Sequence, residues 1–236
     1  MADTLKEETF DTTPCKPIPI DDPELTLELA RTTRFPSPIA AKPPSLTNEE
    51  KIEFIAKHFG EIMRVLGLDM DDPSLQKTPQ RVARMYVDEV FSGLNSETFP
   101  SITLMDRPGP STANGDVVSV RVGFTSFCEH HFVPMQGIAQ VAYIPDEKII
   151  GLSKITRVVR YFARRPQLQE RLTQQIVDSL TLLLETDHVA VSITATHHCV
   201  IARGIEDQCA QASTRALRGR FADDPHVRQE FLNLSS

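Results

Sequence analysis

The sequence is poor in cysteine, has no excess of positive charge, and contains no long apolar run. Its four cysteines, Cys15, Cys128, Cys199 and Cys209, are too few and too scattered for a disulfide scaffold. The expected setting is therefore cytoplasmic, with reduced thiols free for metal binding or catalysis. Lys and Arg number 25 against 32 Asp and Glu, a formal net charge of -7. General nucleic-acid and anionic-membrane binders show the opposite balance, so neither is an expected partner, and any bound anion needs a local basic cluster. No stretch approaches the ~18 consecutive apolar residues of a membrane span. The opening MADTLKEETF lacks the apolar core of a secretory signal. What is present is an ordinary globular mixture, 40% hydrophobic and 24% charged, sufficient for a core without covalent staples.

Residues 1–46 hold eight of the 17 prolines. Each proline removes a backbone donor and biases its predecessor away from helix, so this segment reads as a flexible arm, with a short helix conceivable at Pro23–Ala30. Residues 47–115 form a helical region and connector. Thr47-Asn-Glu-Glu50 is a capping box, followed by Ile52, Ile55, Phe59, Ile62, Met63 and Leu66 at helical spacing up to Gly67. Thr78-Pro79 opens a second helix, expected to run to Gly93, and Arg107–Gly115 is turn-rich. From residue 116 the period changes to two: Val118, Val120 and Val122 alternate with polar residues, and Ile138–Ile144 and Val189–Thr196 read as further strands. A helical region from Ser153 to about Glu185 is interrupted at Pro166, and Asp224-Pro225 opens a last short helix. This order suggests an α+β domain, an antiparallel sheet covered on one face.

Four of the seven histidines occur in two pairs, each beside a cysteine: Cys128-Glu-His-His131 and His197-His-Cys199. A tight turn can present Cys128 and His131 to one ion, and Cys199, at the end of a predicted strand, could close a Cys-His-Cys set. Three such ligands favour zinc and leave a position open, the catalytic pattern, whereas recruitment of Cys209 would give a closed structural site. His130 and His197 remain as candidates for proton transfer. On an alternating strand His197 and Cys199 share a face and His198 takes the other.

Gly151-Leu-Ser-Lys-Ile-Thr-Arg157 places Lys154 and Arg157 on one face at a helix start, suited to a phosphate chain, and Arg203 brings another fork-shaped donor. Gln169-Glu170 opens the helix after Pro166, where a carboxylate could accept two parallel hydrogen bonds from a guanine edge.

These pieces resemble GTP cyclohydrolase I of the zinc-dependent bacterial type. The resemblance is carried by Ser126–Pro134, Val141–Pro145, Ile150–Arg157, Arg165–Thr173 and His197–Gly204, with Thr78–Arg81 and Tyr86–Leu94, and covers about residue 48 to the C-terminus. It implies a tunnelling fold, an antiparallel sheet with two helices on one face, as a catalytic domain over 116–236. It implies that Cys128, His131 and Cys199 hold Zn2+, that His130 and His197 transfer protons, and that Ser153, Lys154, Arg157 and Arg203 contact the triphosphate of GTP. Arg81 would reach in from a neighbouring subunit, and Leu152, Gln169 and Glu170 would surround the guanine. The implied reaction opens GTP at C8, releases formate and yields 7,8-dihydroneopterin triphosphate, the first step of tetrahydrofolate and pterin biosynthesis, in a toroidal homodecamer. The chain departs from the family's usual residues at His198 and Cys209, neither of which falls on an implied role. Three rivals stand beside this reading. A zinc deaminase is disfavoured by the missing Pro-Cys-x-x-Cys motif. The others are another tunnelling-fold purine or pterin enzyme and a zinc-stabilised guanine-nucleotide-binding assembly without turnover.

Overall fold

The computed structural model describes Glu24, Glu28, Arg31, Thr33 and residues 35–40, 42–108 and 116–234. Most of the proline-rich arm and most of the turn-rich connector lie outside these, as does the Pro23–Ala30 segment apart from Glu24 and Glu28, both helical.

The helix α1 (Asn48–Val65) begins where the capping box places it: Thr47 Oγ1 accepts from Glu50 N, and Glu50 accepts from Thr47 N. Its buried face is Ile52, Ala56, Gly60 and Met63. Ile62 and Leu66, expected inside, instead join Phe54 and Val65 on an exposed apolar stripe. The second helix, α2 (Thr78–Arg84), passes into a π-helical turn over Met85–Val90 and 3-10 turns at Ser92–Leu94 and Ser96–Thr98. The expected helix to Gly93 is thus broken into three hydrogen-bonding patterns. Gly93 explains part of this: a Cβ there would collide with Tyr161 O and Arg164 O, so the chain can approach the neighbouring helix end only as glycine.

The strands are β1 (Leu104–Asp106), β2 (Val118–Cys128), β3 (Pro134–Tyr143), β4 (Lys148–Ile150), β5 (Pro166–Gln167), β6 (Val189–His197) and β7 (Ala212–Leu217). β1 and β4 make a small antiparallel ribbon, and the main sheet has the order β5-β2-β3-β6-β7. It is antiparallel except for β5, whose two residues run parallel to Phe127 and Cys128 of β2. The helices α3 (Leu152–Ala163) and α4 (Gln169–Leu184) cover one face. Period-two alternation sends Val122, Phe124, Met135, Ala139, Val141, Val191 and Ile193 to that face, where they meet Ile155, Val158, Phe162, Leu172, Ile176 and Leu180. This is the tunnelling fold preceded by a helical region. After His197 come α5 (His198–Ile201), β7, α6 (Arg220–Asp223) and α7 (Pro225–Leu234). The last two close one end of the opposite sheet face with Phe221, Val227 and Phe231.

The chain just before α1 is tied to this layer. Gln175 Nε2 donates to Phe35 O at 2.6 Å, and the buried Ser37 lies 3.3 Å from both Gln175 Nε2 and Arg165 Nη1 through its Oγ. Arg165, 4% exposed, also donates to Gly93 O at 2.7 Å and stacks over Tyr161 and Phe162. No carboxylate pairs with it among the described residues. Its charge is satisfied by carbonyl, hydroxyl and ring faces, a geometry that needs a planar fork. Arg165→Lys should therefore destabilise the fold by about 1.5–3 kcal/mol, the usual worth of hydrogen bonds to a charged group. Urea unfolding midpoints at fixed protein concentration measure it, and an unchanged midpoint would remove Arg165 from this role.

Candidate active site

The registers of the sheet bring distant residues to one end. Pro134 of β3 lies opposite Phe127 of β2, and Met135 lies opposite His197 of β6. The turn joining β2 to β3 and the chain leaving β6 therefore emerge side by side. The turn is tight: Cys128 N bonds Val133 O at 2.9 Å and Phe132 N bonds Cys128 O at 2.8 Å. Phe132 takes a left-handed conformation, φ 53°, uncommon for a bulky residue. Its ring packs edge-on against Tyr86 and Phe91 of the helical region, which holds it there.

Cys128, His131 and Cys199 present ligand atoms that all lie within 4.8 Å of one another. Cys128 is buried at the end of β2. Cys199 does not arrive by strand alternation, as expected from the sequence: the strand ends at His197, and Cys199 sits in the first turn of α5. Helical geometry there turns Cys199 towards the Cys128 thiol. Burial, then the neighbouring Cys128, push the Cys199 thiol up, while Arg203 opposes them. Such a thiol pair is stabilised by a cation that takes its protons' place. Two thiolates and an imidazole suit a borderline-soft ion such as zinc. The exposed Cys209 is no part of the cluster.

Around the three ligands lie other expected residues. His130 Nδ1 is 3.9 Å from Cys128 Sγ, and its side chain is 63% exposed. Arg203 Nη1 is 3.2 Å from His131 Nε2. His197 is held by Gln169, Nε2 to Oε1 at 2.7 Å. Burial lowers the pKa of His197, and the charge of Glu170 works against that shift. Glu170 itself is exposed in the first turn of α4.

Two attachments have no counterpart among the sequence-based expectations. Glu129, between the ligands of the turn, donates its N–H to Gln167 O at 3.1 Å. Its carboxylate forms a two-pronged ion pair with Arg171, the residue after Glu170. They are 42 residues apart, and nothing periodic in the sequence relates them. The metal-binding turn is thus fastened to the start of α4 by backbone and by side chain.

The residues at the start of α3 are elsewhere. The last turn of α3 leads into β5 beside Cys128, so its first turn lies a helix length away, about 18 Å at 1.5 Å per residue. Ile150, just before it, is hydrogen-bonded to Tyr143 at the opposite end of β3. Leu152 and Ser153 are exposed there, Lys154 donates to Ser101 O at 2.7 Å, and Arg157 is exposed one turn on. Arg81, exposed on α2, has no contact with the ligand cluster. A cleft of about 570 Å³ lined by Glu89, Gly123, Thr125, Gln136, Arg160 and Arg164 holds none of the ligands either; it borders β2.

A family model described as GTP cyclohydrolase I matches residues 55–236. A GTP cyclohydrolase 1 of Tolumonas auensis is 52% identical over 190 residues, 80% of this chain and 87% of the relative. One from Vibrio cholerae serotype O1 is 52% identical over 193 residues, 81% and 88% of the two chains. Among solved structures, the archaeosine synthase QueF-Like in its apo form aligns at 17% identity with a TM-score of 0.38, over 47% of this chain and 96% of that one.

The ion pair to the metal-binding turn gives a direct test. Arg171→Leu removes the cation from Glu129, whose side chain is only 17% exposed. Affinity for Zn2+, read by chelator competition, should fall about 10- to 100-fold, the usual effect of losing a group that orients a ligand segment. Unchanged affinity would mean that the backbone bond alone fixes the turn.

Proposed function

Because the chain belongs to the GTP cyclohydrolase I family, we propose that it hydrolyses GTP at C8, releases that carbon as formate, and rearranges the remainder to 7,8-dihydroneopterin triphosphate. The observation that carries this reading is the convergence of Cys128, His131 and Cys199 with His197 and Glu170 at one end of the sheet. Zinc held by the three ligands supplies, when bound, a water whose pKa is lowered to about 7.

The side chains of the protein do the rest. Glu170 accepts hydrogen bonds from N1–H and the exocyclic amine of guanine, a pairing that rejects bases lacking those donors. His197 gives a proton to N7, making C8 electrophilic, and His130 exchanges protons in the later hydrolysis. Arg203, Ser153, Lys154 and Arg157 bind the triphosphate. The start of α3 is suited to an anion because Gly151 at its N-cap offers no side-chain cap, so the first backbone N–H groups remain available.

Arg203 lies beside His131 of the same chain, whereas Ser153, Lys154 and Arg157, with Leu152 and Arg81, belong to a neighbouring chain in this reading, and the assembly is a homo-oligomer, the toroidal decamer of the family. Three features support association. Among the described residues β7 pairs only with β6, and β2 is covered on its outer edge only at Phe127 and Cys128. A cleft of about 570 Å³ lies open along β2. The exposed stripe of Phe54, Ile62, Val65 and Leu66 on α1 is apolar surface of the kind covered in assemblies. We place the active protein in the cytoplasm.

Formate release from GTP tests the reaction: it should vanish on chelation and return with zinc, and its absence from zinc-loaded, assembled protein would reject the reading. Glu170→Ala should lower kcat/KM for GTP by about 100-fold or more with zinc content unchanged; equal loss of both would separate Glu170 from guanine. The shared site has its own test. Lys154→Ala and His197→Ala are each expected to be inactive, but dissociated, mixed and reassembled they should regain activity at about a quarter of sites, as in any heterologous interface with random mixing. No recovery on mixing would place both residues on one chain's site.

A further inference from the structure

We propose that Gln169 is a positioning residue for His197, fixing its tautomer so that Nδ1 faces the substrate, and is not a side-chain contact of guanine. This rests on the reaction proposed above.

Gln169 is 2% exposed, and every polar atom of its amide has a partner inside the protein. Nε2 donates to Ile193 O at 3.1 Å and to Ala212 O at 3.0 Å, on the adjacent strands β6 and β7, with Thr214 Oγ1 a third acceptor at 3.2 Å. The hydroxyl chain beside it has a determined direction. Thr173 Oγ1 donates to Gln169 O at 2.8 Å, so at its 2.7 Å contact with Thr214 Oγ1 the hydrogen comes from Thr214. Thr214 then meets Gln169 Nε2 with a lone pair.

An amide nitrogen facing three acceptors cannot be exchanged with its oxygen without setting oxygen against oxygen at each of them. Oε1 is therefore the atom facing His197, 2.7 Å from Nε2. An amide oxygen only accepts, so Nε2 of His197 carries a hydrogen in both charge states of the ring. The neutral ring has its lone pair on Nδ1, the only nitrogen left to exchange a proton with a ligand. When Nδ1–H gives its proton to the purine nitrogen, the ring becomes neutral and the Nε2–H bond to Gln169 persists. No rotation or tautomer change is required within the cycle. The same inventory leaves the Gln169 side chain no free N–H for guanine O6. Glu170, the next residue, is exposed and free to take the base.

Two measurements decide the matter. In wild-type protein labelled with 15N-histidine, the His197 signals, assigned through His197→Asn, should show the Nε2–H tautomer once the ring is neutral; the Nδ1–H tautomer would overturn the proposal without any Gln169 variant. Gln169→Leu should lower kcat about 100-fold or more, the scale of a lost proton-transfer group, with KM for GTP and zinc content within about threefold of wild type. A large rise in KM with kcat retained would return Gln169 to the guanine. Failure of the wild-type protein to release formate would count against the reaction itself and leave the tautomer result standing.

Discussion

The pairing of β3 with β2 on one side and β6 on the other positions every group of the site, because it sets Pro134 opposite Phe127 and Met135 opposite His197. A shift of one residue in either register would reverse the faces of a whole strand. It would also carry Cys128 away from Cys199 or His197 away from Gln169. The apolar alternation that buries Val122, Met135, Val141 and Ile193 under the two helices is therefore also what assembles the chemistry. Stability and function share one constraint, and the hydrophobic face of the sheet enforces it.

The first turn of α4 completes what the registers begin. Three consecutive residues reach three parts of the site: Gln169 to the histidine, Glu170 towards the open side, and Arg171 to the turn that carries two metal ligands. The same helix holds the chain before α1 through Gln175, which bonds Phe35 O and also accepts from Gln167 Nε2 at 2.7 Å. Gln167 O in turn accepts from Glu129 N. A buried polar path thus runs from Ser37 to the metal-binding turn. Polar groups sealed under a sheet are costly unless paired; these pairings, which leave Gln167 Oε1 as the one buried side-chain atom of the path without a partner among the described residues, favour a single arrangement of this end of the molecule.

How much of this was legible in the sequence depended on the signal each element carries. The capping box of α1, the alternation in β2 and the proline break between α3 and α4 each state a local preference strongly, and the structure follows them. The strand β7 does not: its helix-facing positions are Ala212, Thr214 and Ala216, too small and too polar to show alternation. β5 has two residues, and β1 and β4 three each, below what any period can reveal. At the site, cysteine and histidine spacing indicated the ligands, but not that Cys199 reaches them from a helical turn. The partners of Gln169 and Glu129 are set by tertiary contacts between residues far apart in the chain, and a glutamine at a helix start or a glutamate in a turn has no sequence signature of its partner.

The charge distribution gives the remaining constraint. A triphosphate must be neutralised on a protein of net charge -7, and near the metal ligands only Arg203, among the described residues, offers a cation not already committed to an ion pair. Arg171, the other nearby cation, is held by Glu129. The uncapped start of α3, with Lys154 and Arg157, has the complementary property: positive potential, while the metal-ligand cluster found among the described residues lies at the other end of the helix. Each end of the fold thus lacks what the other holds. A helix about 18 Å long cannot fold back to join them; in the proposed reading a second chain supplies the missing half. Among the described residues the edge of β7 and most of the outer edge of β2 carry no pairing strand, and they offer a means of bringing it alongside, since a head-to-tail contact between unlike edges repeats around a ring until it closes. In the proposed reaction the catalytic unit is then the junction between chains, and the apolar stripe on α1 and the open sheet edges are the surfaces that this proposal assigns to it.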